Sequence, residues 1–166
     1  LPLQTAFLAL NLAWFLLDGM RVAEGAALAA DLAGSLSDIR REMGCIVELA
    51  PRLPELWRER VVNRLAELFP EGSPVDETRL AQEVALMAER RDVAEELARL
   101  ESHLAQFQQT LEGQGPVGRK QEFLLQEMLR EANTIGSKSG DLGISQAVLE
   151  IKGSLERLRE QVQNIE

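Results

Sequence analysis

The stretch that determines the fold is residues 93–111, VAEELARLESHLAQFQQTL. Its apolar residues alternate spacings of four and three, at Val93, Leu97, Leu100, Leu104, Phe107 and Leu111. This spacing places a single apolar stripe along one side of a helix, as in the seam of a coiled coil. Because such a stripe must be buried against other helices, we expect a helix packed antiparallel to its neighbours.

A second seam of the same spacing occurs near the end of the chain, at Ile144, Val148, Ile151, Leu155, Leu158, Val162 and Ile165. Between the seams, the break GQGP (113–116) is followed by a predicted helix over residues 117–137. This helix has a broad apolar face, made by Leu124, Leu125, Met128, Leu129, Ala132 and Ile135. The three helices therefore offer matching apolar faces to one another.

Upstream of the first seam, we expect two more helices and the beginning of the helix that carries the seam. One covers residues 3–50 and ends at Pro51 and Pro54, since proline disfavours helix at the residue before it. The next covers residues 55–69, and Asp76 is a suitable N-cap for a long helix reaching residue 112. The sequence predicts an all-α fold of about five helices, long and antiparallel, with coiled-coil-like seams.

The composition supports this fold class and restricts the function. The chain is 45% apolar but only 4% aromatic, and it is rich in the best helix formers. The net charge of −9 argues against unspecific phosphate binding, so a nucleic-acid partner requires local basic ridges, a metal ion or another chain. The single cysteine, Cys45, excludes an intrachain disulfide and fits a reducing cytoplasm.

The most apolar stretch is TAFLALNLAWFLL, residues 5–17. It is too short to span a bilayer, and no basic region precedes it as in a signal peptide. Because the chain begins at Leu1 rather than Met, we expect a truncated N-terminus. We expect this stretch to pack on another helix or subunit rather than to enter a membrane.

Opposite its apolar face, the helix over residues 117–137 carries two adjoining ridges of polar side chains. One holds Lys120, Glu127, Glu131, Thr134 and Lys138, and the adjoining ridge holds Arg119, Gln126, Arg130, Asn133 and Ser137. One interpretation is a solvated face with charge pairs at helical spacing. The other is a binding site, because two carboxylates one turn apart can hold a divalent cation and neighbouring cations suit phosphate oxygens. Physical chemistry alone leaves both open.

Two further features lie on the helix of the first seam. His103 is the only histidine and lies beside the seam. It is either a structural residue or a general acid or base. Because the chain has no second histidine, a two-histidine ribonuclease mechanism within this chain is excluded. The polar turn at residues 90–96 is either solvated or faces the paired glutamates across a cleft. In the second case it would add Glu96 or Asp92 to a metal shell and Arg99 to a nucleic-acid surface, and Glu83 is a candidate of the same kind.

Several segments resemble the YicC/YloC family of bacterial endoribonucleases. The resemblance is strongest in PVGRKQEFLLQEMLREANTIGSKSGD (116–141) and in LEIKGSLERLREQVQNIE (149–166), and it continues through residues 75–107. MRVAEGAALAADL (20–32) resembles the family's R-x-x-E-G motif and the small-residue helix after it. The opening before Asp18 departs from the family's more polar pattern, and no segment of residues 1–166 resembles the family's N-terminal β-containing domain. The resemblance implies that residues 1–70 are the helical tail end of the N-terminal region and residues 71–166 the C-terminal helical domain.

The resemblance also implies a function: a cytoplasmic, metal-dependent endoribonuclease that cleaves RNA internally as a homo-oligomer, a hexamer enclosing RNA. No membrane role is expected. The residues themselves supply the candidate ligands for a Mn²⁺ or Mg²⁺ cofactor, which are Glu127, Glu131 and Glu96. The catalytic candidates are His103, Glu127 and Glu131. The RNA-binding candidates are Arg99, Arg119, Lys120, Gln126, Arg130, Asn133 and Lys138. The alternative is a non-catalytic helical scaffold that oligomerises, or binds RNA without cutting it.

Overall fold

The computed structural model describes residues 2–71, 76–112 and 118–163. Within these ranges the protein forms helices only, without a strand, which confirms the all-α prediction. Six α-helices follow one another: α1 (Pro2–Leu49), α2 (Leu53–Leu68), α3 (Glu77–Arg90), α4 (Ala94–Glu112), α5 (Gly118–Ser139) and α6 (Leu142–Gln163). A short 3₁₀ turn (Ala50–Arg52) joins α1 to α2, and Pro54 occupies the first turn of α2, where its missing N–H costs no helical hydrogen bond.

The segment predicted as one helix from Asp76 to residue 112 is two helices, α3 and α4. Asp76 caps α3 as predicted, because its side chain accepts a hydrogen bond from the Thr78 backbone N–H at 2.6 Å. A second cap interrupts the helix, since Asp92 Oδ1 accepts a hydrogen bond from the Ala94 N–H at 2.9 Å. Asp92 and Glu95 have the three-residue spacing typical of a helix start. A new helix therefore begins here, although the apolar spacing is continuous.

The core lies where α1, α4, α5 and α6 meet, and it includes Leu32, Leu36, Ile39, Met43 and Ile46 of α1. Both predicted seams contribute to this core, with Leu97, Leu111 and Val162 only partly buried. The seam residue Ile165 and the predicted helix start at residue 117 lie outside the described residues. Residues on both sides of the predicted boundary at 70/71 share this one core; the boundary itself stays a prediction.

Contacts between the helices run in opposite sequence order, as antiparallel packing requires. Between α4 and α5, Glu96 pairs with Lys138 and Arg99 with Glu131. Between α1 and α6, Arg157 Nη2 lies 3.5 Å from Asp38 Oδ2. A short connection at Gly140 and Asp141 turns α5 back into α6. The result is a four-helix bundle in which α5 packs between α4 and α6.

Two parts of the chain extend from this bundle. Helices α2 and α3 pack mainly on each other, and Trp57 anchors them with the Arg91 guanidinium 5.2 Å from its ring centroid. The first half of α1 has every described side chain from Phe7 to Ala27 exposed, including Trp14 and Phe15. Among the described residues, no helix combines the length and the hydropathy needed for a membrane span.

Candidate metal and RNA site

The antiparallel register of α4 and α5 gathers three of the predicted site residues. Glu127 and Glu131 lie one turn apart on α5, on its side facing α4, and His103 lies opposite them on α4. One ligand atom from each of the three residues lies within 4.8 Å of the others. We call His103, Glu127 and Glu131 the acidic cluster. All three catalytic candidates therefore come together at one point of the α4–α5 groove.

Each carboxylate of the acidic cluster has one arginine near the outer limit of ion-pairing distance. Glu131 is only 5% exposed, and Arg99 Nη1 lies 3.9 Å from its Oε1. Glu127 is partly buried, with Arg130 Nη1 3.8 Å from its Oε2. Both separations exceed hydrogen-bonding distance, and Arg99 donates its hydrogen bond to Glu95 instead. Because these long ion pairs satisfy the two carboxylates only in part, an additional cation would stabilise them further.

The third member of the acidic cluster supplies a nitrogen donor. His103 Nδ1 is buried and has no hydrogen-bond partner among the described residues. A buried polar atom without a partner is uncommon and is explained by a bound ion or water. One imidazole nitrogen with two carboxylates is a donor set that suits Mn²⁺ better than Mg²⁺, which prefers oxygen ligands and keeps several waters. The residues present therefore fit a divalent transition-metal ion.

The predicted third ligand, Glu96, lies elsewhere in the same groove. Its Oε1 accepts a hydrogen bond from Lys138 Nζ at 2.7 Å, and Lys138 Nζ also donates to the Asp92 carbonyl at 2.9 Å. Glu96 is therefore paired with Lys138, about two turns along α4 from His103. His103, and not Glu96, completes the cluster with the two glutamates. Lys138, expected to bind RNA, is occupied by the same pairing. Glu83 lies exposed on α3 and is not part of the acidic cluster.

The remaining RNA-binding candidates lie beside the acidic cluster. On α5, the outward-facing side chains Arg119, Lys120, Gln126, Arg130 and Asn133 are exposed, and Arg99 is exposed across the groove on α4. A shallow groove on this face is lined by Gln126, Leu129, Arg130, Asn133, Thr134 and Ser137. We call this outward face of α5 the basic ridge, defined by Arg119, Gln126, Arg130, Asn133 and Ser137. It carries cations and amides, with Glu122 as the exposed carboxylate beside it, in a chain whose net charge is −9.

Comparison with known proteins connects this arrangement to a family. Residues 46–166, which contain every site residue described above, match the family model for the C-terminal domain of YicC-like endoribonucleases. A protein of Clostridioides difficile (strain 630) named probable endoribonuclease YicC is 44% identical over 147 residues, covering 89% of this chain and 50% of that protein. A protein of Haemophilus influenzae with the same name is 37% identical over 147 residues, with the same coverage.

The chain thus spans about half the length of the curated relatives it matches. The family model covers most of the chain, and the predicted resemblance to the YicC/YloC family is confirmed. The protein belongs to the YicC-like endoribonuclease family, and its residues 46–166 correspond to the C-terminal domain of that family.

Proposed function

We propose that the protein acts as a metal-dependent endoribonuclease whose acidic cluster binds a divalent ion, preferentially Mn²⁺. The observation that carries this proposal is the convergence of His103, Glu127 and Glu131, whose ligand atoms lie within 4.8 Å of one another. The names of the two relatives support the reaction class, since both are named as probable endoribonucleases. RNA is accordingly the proposed substrate.

The roles of the surrounding residues follow from their positions. When bound, a divalent ion supplies positive charge that stabilises the charge developing on a reacting phosphate and its leaving oxygen. Arg99 and Arg130 approach the cluster from opposite helices and would bind the non-bridging phosphate oxygens. Arg119 and Lys120 extend the cationic surface along α5 towards the neighbouring phosphates. His103 would hold the ion through one ring nitrogen, and that nitrogen cannot also transfer a proton.

Self-association is the second part of the proposal. The first half of α1 exposes bulky apolar residues, such as Trp14 at 71% and Phe15 at 75%. A helix that is apolar all round is normally buried, so this surface supports assembly with other subunits. The hexamer and the cytoplasmic location that the family resemblance implies remain predictions.

The proposal is tested by incubating the purified protein with an end-labelled RNA in the presence of Mn²⁺, of Mg²⁺ or of a chelator. We expect internal cleavage with Mn²⁺, slower cleavage with Mg²⁺ and none with the chelator. Products ending in a 2′,3′-cyclic phosphate would identify the RNA's own 2′-hydroxyl as the nucleophile. Binding of RNA without cleavage under any metal condition would contradict the proposal and favour the non-catalytic scaffold.

A further inference from the structure

Phe123 on α5 is an exposed aromatic side chain in polar surroundings. It is 57% exposed, whereas Phe107, the other phenylalanine in the bundle helices α4–α6, is fully buried. Residues three and four positions away are its neighbours on the helix surface, and these are Arg119, Lys120, Gln126 and Glu127. All four are polar or charged. The Phe123 ring therefore contributes little to the core and is available to a ligand.

The ring lies next to the proposed metal site and on the same side of α5 as the cations. Phe123 precedes Glu127 by one helical turn, which is about 6 Å along the helix axis. Viewed down the axis, it lies about 20° from Arg130 and about 40° from Glu127. An RNA strand whose phosphate reached the acidic cluster would consequently pass beside this ring. Arg119 and Lys120 continue the cationic surface beyond it.

We infer that Phe123 stacks against an unpaired base of the RNA strand, next to the phosphate at the acidic cluster. This inference rests on the proposed function for the identity of the ligand. Proteins recognise single-stranded RNA by stacking bases on exposed aromatic side chains while cations follow the backbone. Phe123 and its flanking cations combine both requirements within two turns of α5. Stacking also tolerates any base, because every base has a flat aromatic face.

The same surroundings argue against a protein partner at this position. The core of a protein interface is depleted of charge and needs a contiguous apolar patch. Around Phe123 the side chains one turn away in either direction include Arg119, Lys120 and Glu127, so a docked protein would have to desolvate three charges to bury one ring. Phosphates and a base, in contrast, satisfy the cations and the ring together.

The experiment measures binding separately from cleavage. Fluorescence anisotropy would give the affinities of two labelled RNA oligomers. One has about 12 adenosines, a length within the site sizes of single-strand-binding proteins, and the other is abasic and of equal length. Ca²⁺ replaces Mn²⁺ in these titrations so that the acidic cluster keeps a positive ion, and gel electrophoresis afterwards checks that both oligomers are intact. The variants are Phe123→Leu, which keeps an apolar side chain but removes the ring, and Phe123→Trp, which keeps an aromatic one. Leu149→Ala on α6 is the control, because Leu149 is similarly exposed at 61%.

We expect Phe123→Leu to weaken binding of the adenosine oligomer by about fivefold to a hundredfold, as the loss of one stacked base predicts. Phe123→Trp and Leu149→Ala should retain it, and all four proteins should bind the abasic oligomer equally. Unchanged adenosine binding in Phe123→Leu, an equal loss for both oligomers, or no binding by the unsubstituted protein would overturn the inference. A change in sedimentation of Phe123→Leu would overturn it as well, because it would reveal a protein interface.

These outcomes are independent of catalysis. If Phe123→Leu shows the selective loss but the unsubstituted protein never cleaves RNA with Mn²⁺, the stacking inference stands and the proposed endoribonuclease activity falls. If Mn²⁺-dependent cleavage is found but Phe123→Leu binds normally, only the stacking inference falls.

Discussion

Lys138 Nζ on α5 lies 2.7 Å from Glu96 Oε1 on α4, so a carboxylate expected to bind metal is neutralised by a cation expected to bind RNA. Lys138 also donates to the Asp92 carbonyl beside the cap of α4. The pair therefore ties the end of α5 to the beginning of α4. It also leaves His103, Glu127 and Glu131 as the group whose ligand atoms converge in the α4–α5 groove.

Lys138→Met should destabilise the protein without affecting metal binding. It leaves the buried Glu96 carboxylate without its partner, which costs about 1–3 kcal/mol in the free energy of unfolding. Urea denaturation followed by circular dichroism would measure this loss. Lys120→Met on the same helix is the matched control, because Lys120 is exposed and should change stability by less than about 0.5 kcal/mol.

A double variant separates the pairing from the packing of this site. In Lys138→Met with Glu96→Leu, both charges are gone, so much of the lost stability should return. If the double variant is no more stable than Lys138→Met alone, the pairing is not what holds α4 and α5 together at this end.

Gly140 should be intolerant of a side chain. Its φ of +57° is a left-handed conformation that costs other residues about 1–2 kcal/mol, and a Cβ there would meet the Arg91 guanidinium. Gly140→Ala should lower the free energy of unfolding by at least that amount. Gly44→Ala is the control, since no atom lies within 4 Å of its added Cβ and alanine favours the helix. Equal effects of the two substitutions on thermal unfolding would refute this explanation.

The extent to which the sequence predicted the fold depended on the length of each apolar pattern. Over the described residues, the seams at 93–111 and 144–162 predicted the faces that the core buries, because they repeat over several helical turns. The break between α3 and α4 was missed because Asp92 caps a helix within an otherwise continuous seam. A local hydrogen bond of this kind leaves only a three-residue signal in the sequence.

The candidate site shows the same limit. Glu127 and Glu131 were recognised as a pair because both lie on one helix, where the spacing fixes their neighbourhood. Whether Glu96 or His103 lies next to the two glutamates depends on the axial register of α4 against α5. That register is set by side-chain packing between the helices, and no spacing within either helix determines it. The sequence therefore predicted His103 as a catalytic candidate but not as a ligand.

Arg130→Ala should weaken RNA binding through the loss of one phosphate contact. Arg130 is exposed on the basic ridge, with only a distant pairing to Glu127. Because each phosphate contact releases counterions, the slope of log affinity against log salt should fall by about 1, and the loss should be largest at low salt. Arg159→Ala on α6, which is also exposed, serves as the control. Anisotropy titrations at several salt concentrations measure this slope. If Arg130 does not contact RNA, Arg130→Ala and the unsubstituted protein will have the same slope.

The apolar half of α1 should drive self-association. Replacing Trp14 and Phe15 together by serine removes two large exposed rings, and it should shift the protein to a smaller assembly in analytical ultracentrifugation. The matched control is Leu142→Ser, since Leu142 is 84% exposed at the start of α6 and stands outside this apolar segment. An unchanged mass for the double serine variant would show that this surface does not hold subunits together.

The most direct test of the metal site is a Mn²⁺ titration followed by electron paramagnetic resonance, in which bound Mn²⁺ loses the signal of the free ion. The unsubstituted protein should bind one Mn²⁺ per chain. Glu127→Gln with Glu131→Gln keeps side-chain size but removes both charges, so this binding should be lost while circular dichroism shows unchanged helicity. Equal Mn²⁺ binding by the two proteins would contradict the assignment of His103, Glu127 and Glu131 as the metal site.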